Sequence, residues 1–370
     1  MSNWDKHGEL LSSLGWEDGL LLASCNNCGI TLMQPADMMA KSCIHCGAMM
    51  IEQMDPNADR PPHLAPPELV LNLRKERNRA ETDFTNWVKK FYFPPAGLSA
   101  EKLHERMRLV YVPAWLMDTT LETQWIADAG FDYDVVSHRE KYRGGGWSTQ
   151  QVTRTRKDWE GRAGQLTLRY DNLPADAIEE EFQFWKLARL LRSGDRIVNK
   201  AVPYEQREAE PAAFMLPNRI PADAINDMLP TLMERAKSDV QIACRADHIR
   251  NFNWAPKILE QNWTKMLIPI WSTWYLDEDD RTRMVFLNAV TGHGWGEKIP
   301  SMRRTWRVGL YFLIAALALI GFGIVGGLSS GNWGTLGGMT MLAILLMGIF
   351  MVVVLYVSYQ KNKDDHFGRF

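Results

Sequence analysis

Two close cysteine pairs carry the clearest chemistry in this sequence. Cys25 and Cys28 lie in SCNNCG, and Cys43 and Cys46 lie in SCIHCG. Thiolates prefer zinc to harder cations, and two such pairs can place four sulfurs at the corners of a tetrahedron. Because the protein then fills every ligand position, we expect one structural Zn²⁺ ion with no open position for catalysis. An iron site of the rubredoxin type is the alternative for the same ligands.

The residues beside the cysteines fit a small metal-dependent unit. Gly29 and Gly47 each follow the second cysteine of a pair, where glycine permits the tight turn that points backbone N–H groups at sulfur. We interpret His45, inside the second pair, as exposed and not a ligand. We expect Cys244, alone on a predicted helix, to be a small buried hydrophobic residue. Metal binding, about 10–16 kcal/mol in zinc-finger peptides, would supply the folding free energy of this unit.

The start of the chain bears on the redox environment. MSNWDKHGELLSSLGWEDG is polar and acidic, unlike the basic and apolar start of a secretory signal peptide. We therefore expect a reducing cytoplasm, where clustered cysteines bind metal instead of forming disulfides.

Charge argues against nucleic acid as a partner of the cysteine segment. The formal net charge of the chain is −2, which gives no global basic field. Lys41 is the only Lys or Arg between Cys25 and Cys46. Because phosphate contacts dominate nucleic-acid affinity, we expect this segment to dock a protein, with a nucleic-acid-binding zinc ribbon as the alternative.

No catalytic constellation is evident in the sequence, so we predict that the chain is not an enzyme. The motifs GxxxxGK[ST], GxSxG and HExxH do not occur. The acidic run 277–280 is either a solvated turn or a cation site. A locally basic patch is either a solvated face or a contact for anionic headgroups or an acidic partner. Its members are Arg139, Lys141, Arg143, Arg154, Arg156, Lys157 and Arg162.

Two apolar runs near the end of the chain predict a membrane anchor. Val308–Leu328 has 21 residues without a charge, enough to span about 30 Å of hydrocarbon, and Met339–Tyr356 is a second uncharged run. The neutral segment SSGNWGTLGG between them is short, so we predict an antiparallel hairpin; a buried hairpin in a soluble core is the alternative. Positive charge flanks the pair on both sides, which predicts that both termini are cytoplasmic. The flanking residues are Arg303, Arg304, Arg307, Lys361, Lys363 and Arg369.

The pattern along the chain predicts an α+β protein. The expected order is an N-terminal arm (1–19), a zinc ribbon (20–54), a Pro-rich linker (55–66), a cytoplasmic α+β body (67–305), a transmembrane helical hairpin (306–358) and a cytoplasmic tail (359–370). In the body we predict a helix that begins at Pro66–Pro67, and two strands that turn near Gly161–Gly164.

Two internal echoes suggest a duplication within the body. YVPAW (111–115) is similar to LIPIW (267–271), and LPADAI (173–178) is similar to IPADAI (220–225), each opening a predicted helix. These echoes predict two related modules of a mixed antiparallel sheet with helices, at about 67–190 and 191–305. Chance similarity of short Pro-containing strings is the alternative.

The chain resembles bacterial membrane-anchored TFIIB-type zinc-ribbon proteins, often labelled primosomal protein N′ (replication factor Y)-like. The resemblance covers most of the chain, but only loosely from 140 to 250. It rests on CNNCG…CIHCG, the helix from Ala80 to Trp87 that stops at Pro94, YVPAW, LIPIWSTWY…FLNAVTGHGWGEKIP and the apolar pair. His293–Gly294–Trp295 departs from the family pattern, and the helicase label lacks an ATP-binding motif here.

The resemblance implies a non-enzymatic protein of the bacterial inner membrane. Its partners would be other membrane-associated proteins in an envelope-stress or membrane-remodelling assembly. We therefore expect an adaptor or scaffold that the lipid bilayer anchors and that is able to join an oligomeric assembly.

Overall fold

The computed structural model describes residues 10–38, 42–49, 51–54, 63–179, 198–207, 210–331, 333–360 and 364–367. The fold is mixed α+β, as predicted, and divides into two compact units. The first unit comprises Met1–Ala114, Ile178–Asn218 and Lys265–Phe370, and the second comprises Trp115–Ala177 and Arg219–Thr264.

Twelve strands form the sheet in the described part of the chain. Their hydrogen-bonded order is β12–β11–β10–β9–β5–β8–β2–β1–β3; in addition, β6 pairs with β5, and β4 pairs with β7 and β9. The bounds are β1 Leu20–Cys25, β2 Thr31–Pro35, β3 Ile51–Gln53, β4 Leu69–Leu71, β5 Arg108–Arg143, β6 Gly146–Asp176, β7 Ala201–Pro203, β8 Ala213–Met215, β9 His248–Leu276, β10 Thr282–Asn288, β11 Gly294–Glu297 and β12 Asp364–Phe367.

In the first unit, the cysteine-bearing strands belong to the same sheet as the body. β2 pairs with β8 in antiparallel register, with Leu32 opposite Met215 and Met33 opposite Phe214. β8 in turn pairs with β5 in parallel register. The segment is therefore not a separate unit on a free linker; Met33 shares one hydrophobic core with Phe214.

Two short helices cover this core. They are α1, Arg77–Lys89, and α2, Ala100–Arg106. Phe84 and Trp87 of α1 are buried in the same cluster as Trp271 and Tyr275 of β9. The prediction that the first helix begins at Pro66–Pro67 is wrong, because Leu69–Leu71 forms strand β4 and pairs with β7 and β9. Sheet pairing of buried apolar residues here overrides the helical pattern.

The second unit packs one helix on long strands. α3, Pro221–Ala243, continues through Pro230 and buries Leu232 and Ala236 against Met117 and Leu121 of β5. The predicted turn near Gly161–Gly164 is wrong, because β6 runs through it without interruption. Gly164 has a packing role instead: a Cβ there would lie 2.8 Å from the indole nitrogen of Trp125.

The internal duplication is not confirmed. YVPAW lies in β5 and LIPIW lies in β9, and IPADAI opens α3 as predicted. LPADAI differs, because its first four residues end strand β6. The continuation of the predicted helix into 180–197 lies outside the described residues.

Two apolar helices follow the body. They are α4, Met302–Ser330, and α5, Trp333–Gln360. Met302–Ser329 is long and apolar enough to cross a membrane, and Gly337–Val353 is a shorter apolar segment. The two helices pack together where Gly309 leaves room for the ring of Phe350, which also makes an edge contact with Trp306.

A carboxylate of the body caps the first apolar helix. Glu278, in the turn between β9 and β10, accepts hydrogen bonds from the Ser301 hydroxyl (2.9 Å) and from the backbone N–H groups of Met302 (2.6 Å) and Arg303 (2.7 Å). The first N–H groups of a helix lack partners within the helix and favour negative charge, so this cap joins the body to α4.

A second contact joins the end of α1 to the apolar helices. The backbone N–H of Ser301 donates to the carbonyl of Phe93 at 2.8 Å. The ring of Tyr92 packs edge-on against Tyr356 of α5, with 5.4 Å between the ring centroids. The body therefore touches both apolar helices.

The acidic turn is structural, not simply a solvated loop. Asp277 is buried, accepts the backbone N–H groups of Asp279 and Arg281, and pairs with Arg283 at 2.8 Å. Arg283 also pairs with Glu297 of β11 at 2.8 Å. These bonds fix the turn that presents Glu278.

Replacing Glu278 by Ala should lower the free energy of unfolding by about 2 kcal/mol, because charge-assisted hydrogen bonds to the helix start are lost. Urea denaturation of the detergent-solubilised chain measures this change. Asp279→Ala is the matched control: its side chain is exposed, and we expect a change within about 0.5 kcal/mol.

The effect of Glu278 should depend on pH. Burial opposes its charged form, but the N–H donors of Arg303 and Met302 and the Ser301 hydroxyl outweigh burial and lower its pKa. A depressed folded-state pKa stabilises the fold above the unfolded value of about 4.3. The difference between wild type and Glu278→Ala should therefore shrink as pH falls below about 4, and a difference that stays constant there would contradict the cap.

Candidate metal centre

The structure brings the four predicted ligands together. The Sγ atoms of Cys25, Cys28, Cys43 and Cys46 all lie within 4.8 Å of one another. The Sγ–Sγ distance is 3.7 Å for Cys25 and Cys46, and 3.9 Å for Cys28 and Cys43. A regular tetrahedron with metal–sulfur bonds of about 2.3 Å has sulfurs about 3.8 Å apart. The four cysteines could therefore hold one metal ion with tetrahedral geometry.

Two equivalent turns position the sulfurs. The backbone N–H of Gly29 donates to the carbonyl of Cys25, and that of Gly47 donates to the carbonyl of Cys43, both at 2.8 Å. Both glycines adopt the left-handed conformation, with φ of +69° and +73°. Residues with a side chain rarely adopt this backbone, which explains a glycine after each cysteine pair.

Hydrogen bonds at the sulfurs favour thiolate in part of the cluster. The thiols of Cys28 and Cys43, together with the side-chain amide of Asn27, lower the pKa of Cys46. Sulfur–sulfur hydrogen bonds and burial raise the pKa of Cys43 instead. A metal ion binds thiolates, so binding here would release protons, and affinity would rise with pH.

His45 is buried, although we interpreted it from the sequence as exposed. It is only 6% exposed. The ligand atoms that converge are all cysteine sulfurs, and His45 contributes a backbone N–H that points at Cys43 Sγ at 3.4 Å. Burial opposes the imidazolium and lowers the pKa of His45 to about 4.

The second turn is buried because it packs on the β9–β10 hairpin. The Ser272 hydroxyl donates to the carbonyl of Ile44 at 2.5 Å, and the Trp274 indole donates to Ser42 Oγ at 3.0 Å. Gly47 lies so close to Thr282 that a Cβ would overlap the threonine methyl group. Sequence reasoning missed these residues; a polar Ser272 within the apolar strand LIPIWSTWYL was the available signal.

The end of the Pro-rich linker is also fixed in the first unit. The Lys265 ammonium is buried and donates to the carbonyls of His63 (3.0 Å) and Ala65. The Trp16 indole donates to the carbonyl of Leu64 at 2.7 Å. Residues 55–62 of the predicted linker lie outside the described residues.

Cys244 takes no part in the metal centre. It lies in the second unit, where it is buried with Trp125 and Val240, as predicted for a small hydrophobic residue. Its carbonyl accepts a hydrogen bond from Arg162 at 2.8 Å.

Replacing Cys25 and Cys28 by Ser should abolish metal binding, because two of four ligands are lost. We expect the metal content to fall from one ion per chain to none, with faster amide hydrogen exchange in β1–β3. Elemental analysis and hydrogen exchange measure both changes. Cys244→Ser is the control and should retain one ion; metal retained by the double variant would overturn the assignment.

The close contact at Gly47 makes a second prediction. Gly47→Ala should destabilise the fold more than Gly29→Ala, although both replace a left-handed glycine at about 1–2 kcal/mol. The overlap with Thr282 adds about 1–3 kcal/mol at Gly47 alone, because nothing among the described residues lies within 4 Å of a Cβ at Gly29. Urea denaturation of the metal-loaded chains compares them.

A double variant tests whether overlap with Thr282 causes the extra loss of stability in Gly47→Ala. Thr282→Ala removes the overlapping methyl and should recover part of the stability lost in Gly47→Ala. Equal losses for both glycine variants, or no recovery in Gly47→Ala/Thr282→Ala, would show that the cysteine turn does not pack as described.

Comparisons with known proteins identified no related protein. No protein-family model, curated protein or solved structure matches this chain. The role of the four-cysteine centre has to be inferred from the residues around it.

Proposed function

We propose that this chain is a non-enzymatic, membrane-anchored zinc-ribbon adaptor that holds protein partners at the cytoplasmic face of a bacterial inner membrane. One observation carries the proposal: the body that bears the cysteine centre is hydrogen-bonded to the apolar helices through Glu278 and Ser301. A partner docked on the ribbon would be held at a defined place beside the bilayer.

The proposed anchor is a hairpin of two spans formed by α4 and α5. The packing of Gly309 against Phe350 supports a pair of helices that associate closely, as small residues allow in lipid. The basic residues in the first two turns of α4 and after α5 favour cytoplasmic placement of both ends. The exposed Trp306 near the start of α4 suits the membrane–water interface.

We propose zinc as the metal and a structural role for it. Four thiolates complete a tetrahedral shell, so the ion has no position for substrate. Its role would be to hold the two cysteine turns, one of which packs on the body. The first turn would then be the part of the ribbon that meets a partner.

The exposed residues of the ribbon form the proposed docking rim. Asn26, Asn27 and Met49 are exposed, and Met49 is 73% exposed. The rim carries amides and a flexible apolar side chain but no Lys or Arg. This chemistry suits a protein partner better than nucleic acid, whose phosphates require cations. Nucleic-acid binding by the ribbon is therefore the less favoured alternative.

Membrane topology is testable with one added cysteine in a Cys244→Ser background, in which the four remaining native cysteines are the candidate metal ligands. We expect Ser329→Cys, between the apolar runs, to react with a membrane-impermeant maleimide added to intact spheroplasts. Lys361→Cys, after the second run, should react only after lysis. Reaction of Lys361→Cys in intact spheroplasts, or extraction of the chain by alkaline carbonate, would contradict a two-span anchor with cytoplasmic ends.

Partner docking is testable by site-specific crosslinking in native membranes. A photoreactive amino acid at Met49 should give a discrete protein adduct, and the same group at the exposed Glu101 of α2 should not. The Met49 adduct should disappear in the Cys25→Ser/Cys28→Ser variant. The absence of a metal-dependent adduct, or binding of DNA that protects Met49 from crosslinking, would refute the adaptor.

A further inference from the structure

The long hairpin of β5 and β6 ends in a segment that the rest of the described chain leaves uncovered. We name residues 136–157 the β-arm. Every side chain from 136 to 151 is exposed. Gly144 and Gly145, both with positive φ, form the turn at its tip. A two-stranded hairpin alone is marginally stable in water, so an arm of this length is suited to bind a partner.

Contacts across the arm show which side chains share a face. Tyr142 packs on Trp147, with 5.3 Å between the ring centroids. Successive side chains of a strand point to opposite faces, so even positions of β5 share a face with odd positions of β6. At the base of the arm, the bond from the Thr155 hydroxyl to Asp134 (2.8 Å) obeys the same rule.

This alternation segregates the charge of the β-arm. The arm has six basic residues and one acidic residue. Five of the six cations lie on the face opposite Tyr142 and Trp147, where no acidic residue of the arm occurs. Among the described residues, none of the five forms a salt bridge. They are Arg139, Lys141, Arg143, Arg154 and Arg156.

The remaining members of the predicted basic patch have internal contacts. Lys157 lies 3.3 Å from the His248 ring on the other face. Arg162 donates to the Cys244 carbonyl and covers the ring of Phe131. The basic face is thus a smaller and better defined surface than the sequence patch.

We propose that the basic face of the β-arm binds B-form duplex DNA along its length, with its five cations on phosphates. From Gly146 at the tip to Arg156, the strand rises about 34 Å at about 3.4 Å per residue. One turn of B-DNA has the same length, and its major groove admits a two-stranded β-ribbon. This goes beyond the adaptor function, because the site is on another element from the zinc ribbon.

A lipid surface fits the arrangement less well. If the tip inserted its aromatic pair, only Arg143 and Lys141 would lie within a Debye length of about 8 Å from the headgroups, and Arg156 would be about 34 Å away. If the basic face lay flat on the bilayer, Tyr142 and Trp147 would point away from it. Of these two membrane orientations, only the flat one engages all five cations, and it leaves the aromatic pair out of the membrane.

A protein partner is also less suitable. The core of a protein interface is apolar and depleted of charge. The basic face has ten positions, of which five are the cations and four are Ser, Gly or Gln; Val152 is the only apolar side chain larger than alanine. The groove of A-form RNA is too narrow for side chains to read, which favours DNA over an RNA duplex.

The test uses the full chain in nanodiscs of phosphatidylcholine and a fluorescein-labelled duplex DNA longer than the arm. Five phosphate contacts predict a slope of log Kobs against log salt of about −4.5, or roughly 500-fold weaker binding between 50 and 200 mM salt. Replacing the five cations by Gln should reduce affinity at least ~100-fold at low salt and bring the slope towards zero.

A matched variant removes the same charge elsewhere. Its substitutions, all at exposed positions, are Arg79→Gln, Lys89→Gln, Lys102→Gln, Lys237→Gln and Lys257→Gln. It should bind DNA as the wild type does. A second control, Tyr142→Ser/Trp147→Ser, should retain the slope, because its side chains lie on the other face.

Three results would overturn the proposal. The first is a slope that is equal in wild type and the five-Gln variant. The second is an equal loss in the matched variant, or a loss confined to Tyr142→Ser/Trp147→Ser. The third is binding to phosphatidylglycerol-containing vesicles that requires the five cations, without binding to duplex DNA. A urea denaturation midpoint close to that of the wild type in every variant confirms that each has folded.

Discussion

The packing of the β9–β10 hairpin is the constraint on which the first unit depends. Along its strands, Ser272 and Thr282 hold the second cysteine turn. At its turn, Glu278 caps the first apolar helix. Because one hairpin makes both contacts, it links the candidate metal centre to the first apolar helix. The buried Asp277–Arg283 pair braces this turn, which a solvated loop could not do.

This arrangement would give a bound metal ion a larger role than folding a small unit. A zinc ribbon on a flexible linker stabilises only itself, whereas here β2 continues the body sheet and Met33 lies in the shared core. The free energy of metal binding is therefore linked to the packing of the surrounding residues. The second cysteine turn packs on the body, whereas Asn26, Asn27 and Met49 are exposed. In the proposed adaptor, a fixed ribbon would select partners by surface chemistry instead of by reach.

Features that depend on nearby residues were predicted correctly from the sequence, whereas features that depend on distant residues were not. The four ligands, the glycine turns and α3 follow from spacings within a few residues, and each lies where the sequence indicated. The errors all involve distant partners. Leu69–Leu71 is a strand because β7 and β9 lie beside it, Gly164 continues a strand because Trp125 needs its space, and His45 is buried because β9 packs over it. The sequence immediately around each of these residues does not reveal these distant contacts.

Charge shows the same limit in another form. A net charge of −2 hides how the charges are distributed, because acids and bases occupy different parts of the structure. The carboxylates of Asp277 and Glu278 accept hydrogen bonds inside the first unit. The cations of the β-arm are instead aligned on one face by a period of two and a tight glycine turn. Lengthening that turn by one residue would shift the register of one strand by one position and divide the five cations between both faces. The local field thus depends on strand register, which composition does not contain.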